Sequence, residues 1–211
     1  MKLVLSSLLL ILCCCSYGQK EKSVSLRARK YIDSAITIFQ DGDTNSYPKA
    51  ILYLNNAIAI DSNSYPAYYN KLEIQTLLKQ YDSAVITWKS LKRFNINNFD
   101  YYIHGGMLYY KIGDITVSKN YFEKSLSICN QLLDTLNANS QNYSLILIDK
   151  GSDLVMLDRK NEANVIFKKL ANRQSDADIK NYFLSFINMD KDDIFNEAFT
   201  QYTGSGTSVA K

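Results

Sequence analysis

The side chains that could do chemistry in this chain stand alone. His104 is the only histidine among 211 residues, so no pair of imidazoles can hold a metal ion. It lies beside Gly105 and Gly106, with no glycine-framed nucleophile elsewhere for it to serve. A hydrogen-bonding role at a partly exposed position is the expectation. Cys129 falls between Ile128 and Leu132 on a helical stretch, which suits a buried small hydrophobe better than a reactive thiol. Asp41-Gly42-Asp43-Thr44-Asn45 has the oxygen spacing that opens a calcium loop. Ser46 then stands where glycine is required, and Leu52 where a bidentate glutamate belongs. A solvated loop between helices is expected there. Asp192 and Asp193 are adjacent and so diverge on a helix, where they favour its positive N-terminal end. The eight glycines form neither GxGxxG nor a P-loop. No catalytic residue, cofactor or metal is implied.

The composition says what kind of scaffold carries these residues. Hydrophobic residues make up 46% and charged residues 21%, a globular balance. With only 8 glycines and 2 prolines, the chain lacks the regular turns of a barrel or sandwich, and long helices with short connections are expected. Sixteen tyrosines suit the seams between packed helices.

The N-terminus reads as a targeting segment. Lys2 is followed by an apolar run from Leu3 to Leu12, too short to span a bilayer, and Ser16-Tyr17-Gly18 places small residues at the cleavage positions. Residues 1–18 are thus expected to be a signal peptide removed before Gln19. Leu12-Cys13-Cys14-Cys15 also resembles a bacterial lipobox, in which a cysteine is lipidated and anchors the protein to a membrane. Export is expected either way, to the periplasm or medium or as an outer-membrane lipoprotein. Loss of Lys2 leaves 23 of the 24 basic residues against 21 acidic ones. Such scattered, nearly balanced charge gives no footprint for nucleic acid. Three of the four cysteines lie in this leader, so the remainder holds no internal disulfide.

The periodicity is the strongest signal. A small residue, a large one four later and a small or apolar one three beyond recur as Ala50-Leu54-Ala57, Ala84-Trp88-Leu91, Ser118-Phe122-Ser125 and Ala163-Phe167-Leu170. The first three are 34 apart and the last follows after 45. Sixteen residues ahead of the last three begin the stripes Tyr68-Leu72-Gln75, Tyr102-Gly106-Tyr109 and Leu147-Gly151-Leu154, each on one helix face. Tyr31-Ala35-Ile38 leads the first pair across a longer loop at Asp41 to Tyr47, after which Pro48 suits a first helical turn. Mid-helix Gly106 and Gly151 imply a close approach by another helix. The 11 residues beyond the 34-residue period make about three turns, enough to lengthen one helix from Val117 through Leu136 without rotating its apolar face.

At these residues the chain resembles the tetratricopeptide repeat family. Ala67 through Trp88 and Tyr102 through Leu126 read like family repeats, and the likeness extends over roughly residues 31–171. Lys71-Leu72 departs from the usual Leu-Gly, and a looser turn is expected there. Tyr182-Phe186-Met189 with Ala198 reads as a degenerate fifth repeat acting as a cap. The fold implied is all-α: a right-handed superhelical solenoid of about four helix-turn-helix repeats over residues 19–203 with a C-terminal capping pair, then a disordered tail at 204–211.

The resemblance implies a concave groove lined by the leading helices. Its residues would be Tyr69, Glu73 and Thr76 in the second repeat, and Ile103, Met107, Tyr110 and Lys111 in the third. In the fourth they would be Ile148, Ser152, Val155 and Met156. The strip is mostly apolar and aromatic; Tyr69 and Glu73 take positions where some members carry a basic clamp for acidic peptide C-termini. Ile103, Met107 and Ile148 equally suit packing against a neighbouring repeat or the cap. The expected function is a non-catalytic scaffold for a protein or peptide partner. The alternative is a lipid-anchored subunit of a bacterial envelope assembly that makes contact through its convex face.

Overall fold

The computed structural model describes residues 24–94, 99–138 and 140–204. The expected signal peptide, the lipobox cysteines and the tail from residue 205 lie outside the described residues. Ten α-helices and no strand occur among the described residues: α1 (Leu26–Gln40), α2 (Tyr47–Ile60), α3 (Tyr65–Leu77), α4 (Tyr81–Leu91), α5 (Phe99–Lys111), α6 (Ile115–Thr135), α7 (Gln141–Met156), α8 (Lys160–Asn172), α9 (Ala177–Ser185) and α10 (Lys191–Gly204). The fold is an all-α helical repeat, with helices packed in consecutive pairs. Two compact units are present, one within Met1–Asn95 and Ala198–Lys211, the other within Ile96–Glu197.

In the first unit α1 packs on α2, α2 on α3 and α3 on α4. Ser25 caps α1 by accepting from the Ala28 amide, and Pro48 sits in the first turn of α2. Small residues keep the helices close: Ala28, Ala35, Ala50, Ala57 and Ala67 are all buried around Ile32, Leu54 and Ile74. The loop before α2 is held by Asp43, whose carboxylate accepts from the Asn45 amide and from Ser46 Oγ. This is the solvated inter-helix loop expected there.

In the second unit α5 packs on α6, α6 on α7, α7 on α8 and α8 on α9. Asp114 caps α6 and Ser140 caps α7. The long helix α6 ends at Thr135, with Leu136 as its C-terminal cap, where the register placed its end.

Three leading helices end in the same turn. The second residue beyond each helix takes a left-handed conformation: Lys79 (φ 58°), Gly113 (φ 83°) and Asp158 (φ 66°). In each case that residue's amide and the next one bond back to the helix, as Lys79 to Thr76 O and Gln80 to Gln75 O do. These positions are 34 and 45 apart, the spacing of the repeats themselves. Only Gly113 meets the steric demand without cost.

The inter-helix sockets are read from the same register. A Cβ added at Gly106 would come within 2.7 Å of the Phe122 ring, and one at Gly151 within 2.6 Å of Phe167. The close approach expected at these glycines is made by a ring of the partner helix. In the second repeat Leu72 and Trp88 fill the equivalent space, each 1% exposed. At the turn where looser packing was expected, Leu72 is therefore buried, while Lys71 stays partly exposed.

The cap differs from a fifth repeat. α9 stops at Ser185 with Phe186 as its C-terminal cap, and Asn188 turns left-handed (φ 72°), so Met189 does not continue the stripe. Phe186 packs on Tyr182 four residues earlier and on Phe167, each with ring centroids 5.1 Å apart. α10 starts in a reciprocal cap, with the Asp193 amide bonded to Asp190 and the Asp190 amide to Asp193. It remains helical through Gly204.

Candidate functional site

The residues predicted to line a groove divide by burial. Tyr69, Ile103, Tyr110, Lys111, Ile148 and Ser152 are partly exposed. Glu73 (7%), Thr76 (3%), Met107 (3%), Val155 (2%) and Met156 (2%) are interior and present no open surface. The correction has a simple cause. A leading helix is covered on more than one side, so the arc left to solvent is narrower than the arc outside its packed stripe. In the second repeat only Tyr69 stays at the surface; it stacks on Tyr65 at 5.6 Å. Thr76 turns its hydroxyl onto its own helix, at the Leu72 carbonyl. Glu73 is pushed up to about 8 by desolvation, against which a hydrogen bond from Tyr69 works.

In the third repeat the exposed positions already have company. Lys111 Nζ lies 2.7 Å from Asp192 Oδ1 and 4.2 Å from the Phe195 ring centroid. Both of those residues belong to α10. Desolvation and the Asp192 charge hold the Tyr110 phenol above the usual range. The Asp192 carboxyl is lowered, chiefly by its bond to Lys111.

The interior of this unit holds a polar group that sequence reasoning missed. Asp153 on α7 is fully buried, and neither carboxyl oxygen has a hydrogen-bond partner. Its pKa is driven well above the usual range by desolvation; the Ser125 hydroxyl opposes this, though outside hydrogen-bond geometry, while Asp149 and Glu123 add to the rise. Asp149 is likewise raised well above the usual range, by desolvation and then by Asp100. Desolvation followed by Asp153 and Asp149 pushes up the buried Cys129 thiol, so Cys129 behaves as the small hydrophobe expected. The clue lay in the register: Asp153 stands 45 after Leu108, an interior position of α5. His104 Nδ1 donates to the Asp100 carbonyl oxygen at 2.8 Å, a local helix contact. An open cleft of about 290 Å³ lies where Glu123, Lys150, Arg159 and Glu162 meet, and Arg159 is engaged there by two 2.7 Å bonds to Glu162.

The tetratricopeptide repeat family model matches residues 99–132, which cover α5 and all but the last turn of α6. Residues 99–132 form a tetratricopeptide repeat. No curated protein and no solved structure matches it. The matched stretch holds the Gly106–Phe122 socket and the Gly113 turn, the two features whose geometry recurs in the fourth repeat. Tetratricopeptide repeats are generally protein–protein interaction modules.

Proposed function

We propose that the protein is a non-catalytic scaffold that binds a protein partner along the leading helices of its second unit, through Ile103, Tyr110 and Ile148. The carrying observation is that these three residues keep partial exposure although they lie beside helix faces that are otherwise buried. Tyrosine and isoleucine there suit a partner seated by apolar anchors. The titratable groups raised furthest, Asp149, Asp153 and Cys129, are held by burial rather than tuned in an open site, which supports a binding role over catalysis.

The place of action is the cell envelope. Residues 1–18 direct export, with either cleavage before Gln19 or lipidation at the cysteines near position 15. Intact mass of the protein purified from its native envelope separates these outcomes.

A second reading, a subunit that makes contact through its second helices, is favoured by one observation. Leu52 (56%), Ile86 (68%) and Val165 (67%) are exposed at the same register position of α2, α4 and α8. Photo-crosslinkers placed at Ile103 and Ile148, and separately at Leu52 and Ile86, decide between the readings in native cells. Adducts from the first set alone support the scaffold; adducts from the second set alone overturn it.

A further inference from the structure

Among the leading-helix positions, Lys111 has a partner from a distant part of the chain. That partner is the chain's own last helix. Asp192 and Phe195, three apart on α10, present a carboxylate and an aromatic ring on one side of a single turn. Lys111 takes both: its ammonium pairs with Asp192 at 2.7 Å and lies 4.2 Å from the Phe195 ring centroid. Tyr110, next to Lys111 on the same helix end, lies close enough to this carboxylate to feel its charge. Phe195 and its neighbour Ile194 are 5% and 2% exposed, so this turn of α10 is seated rather than resting on the surface.

Beside this buried turn, two polar contacts of this end of α10 are weak ones. Lys191 pairs with Asp158 at 2.6 Å, and Tyr182 bonds Glu197 at 3.3 Å. The acidic partners of the two ion pairs, Asp192 and Asp158, are 62% and 57% exposed, a setting in which an ion pair adds little to stability. The repeats themselves are held by fully buried rings at Phe122 and Phe167. α10 can therefore leave without dismantling them.

We infer that the Tyr110–Lys111 face of α5 is a receptor for one turn of helix carrying a carboxylate and, three residues on, an aromatic ring, and that α10 fills it until a partner bearing the same pair displaces it. The inference rests on the scaffold reading above and specifies the partner at one end of that surface.

The test uses full-length protein and a fluorescent synthetic peptide of residues 190–204. In the variant Asp192→Ala/Phe195→Ala, amide exchange of Ile194 to Glu197 should accelerate while helicity of the rest is retained. The peptide should bind that variant at least ten-fold tighter than wild type, whose seat is filled. Adding Lys111→Glu should remove at least ten-fold of that affinity, and a peptide carrying Asp192→Ala and Phe195→Ala should not bind. Accelerated exchange with no peptide binding overturns the receptor. Unchanged exchange overturns the claim that this contact holds α10, and loss of the α5–α8 fold overturns its displaceability. If the peptide fails while crosslinks at Ile103 and Ile148 persist, only this inference falls; if those crosslinks fail too, the scaffold reading falls with it.

Discussion

The second repeat and the two after it solve one packing problem with opposite residues. In the third and fourth repeats a glycine on the leading helix, Gly106 or Gly151, receives a phenylalanine ring from the following one. In the second, Leu72 takes the glycine's place and Trp88 the ring's, and both are almost completely buried. The first repeat uses Ala35 and Leu54, with less volume on the ring side. What the repeat holds constant is a filled space between two helices, not the identity of the residue on either side. The polar contacts differ in the same way. Thr87 Oγ1 donates to Gln75 Oε1 at 2.7 Å in the second repeat, whereas in the third Ser118 Oγ donates to the Gly106 carbonyl at 2.8 Å.

The comparison breaks first where the ring is largest. Trp88→Ala is expected to cost about 3–5 kcal/mol in urea unfolding, since Leu72 cannot follow the wall back. The buried carboxyl of the same repeat gives the next largest effect. Glu73 has its folded pKa raised from 4.5 to about 8, so its folded form holds a proton that the unfolded chain releases. The stability tied to that proton is complete below about pH 4.5 and is lost as pH rises through about 8. Glu73→Gln should flatten this slope and gain on the order of 3 kcal/mol relative to wild type at pH 9. A wild-type slope unchanged by the substitution would mean that Glu73 is ionised in the fold.

The third repeat should respond to added volume instead. Gly106→Ala places a methyl within 2.7 Å of a ring that has no exposed side to swing toward. Overpacking costs about 1–3 kcal/mol and outweighs the roughly 1 kcal/mol gained in helix propensity. Phe122→Leu in the same chain should recover part of the loss, by making the socket resemble Ala35 and Leu54. Failure of that rescue would show that the socket depends on ring shape and not on volume.

Much of this was legible from spacing alone. The 34- and 45-residue intervals place the sockets and the end of the long helix α6. They do so because each depends on helix period and backbone sterics, which are local. The candidate surface was legible only in part. Register gives the side of a helix on which Glu73, Met107 and Met156 lie; how much neighbouring helices cover that side is a property of the packed structure. Met189 was misplaced for a related reason. A degenerate repeat keeps the period in sequence after it has stopped obeying it, and Asn188 turns the chain before the stripe ends. The pairing of Lys111 with Asp192, 81 residues apart, leaves no local trace.

The smallest expected difference concerns the two hydroxyls. Thr87→Val keeps the shape of the side chain and removes the only hydrogen, leaving the buried Gln75 oxygen short of a donor. That costs about 1–3 kcal/mol, the penalty for an unsatisfied buried acceptor. Ser118→Ala removes a donor to a carbonyl that lies inside α5, where the helix ladder supplies another, and alanine is the better helix former. Its expected cost is under about 1 kcal/mol. Thermal melts of the two variants should therefore separate, the second-repeat variant melting lower. Equal losses would mean that the Ser118 bond does more than fill a spare lone pair, and that the third repeat relies on it to bring α5 and α6 within reach of the Phe122 ring.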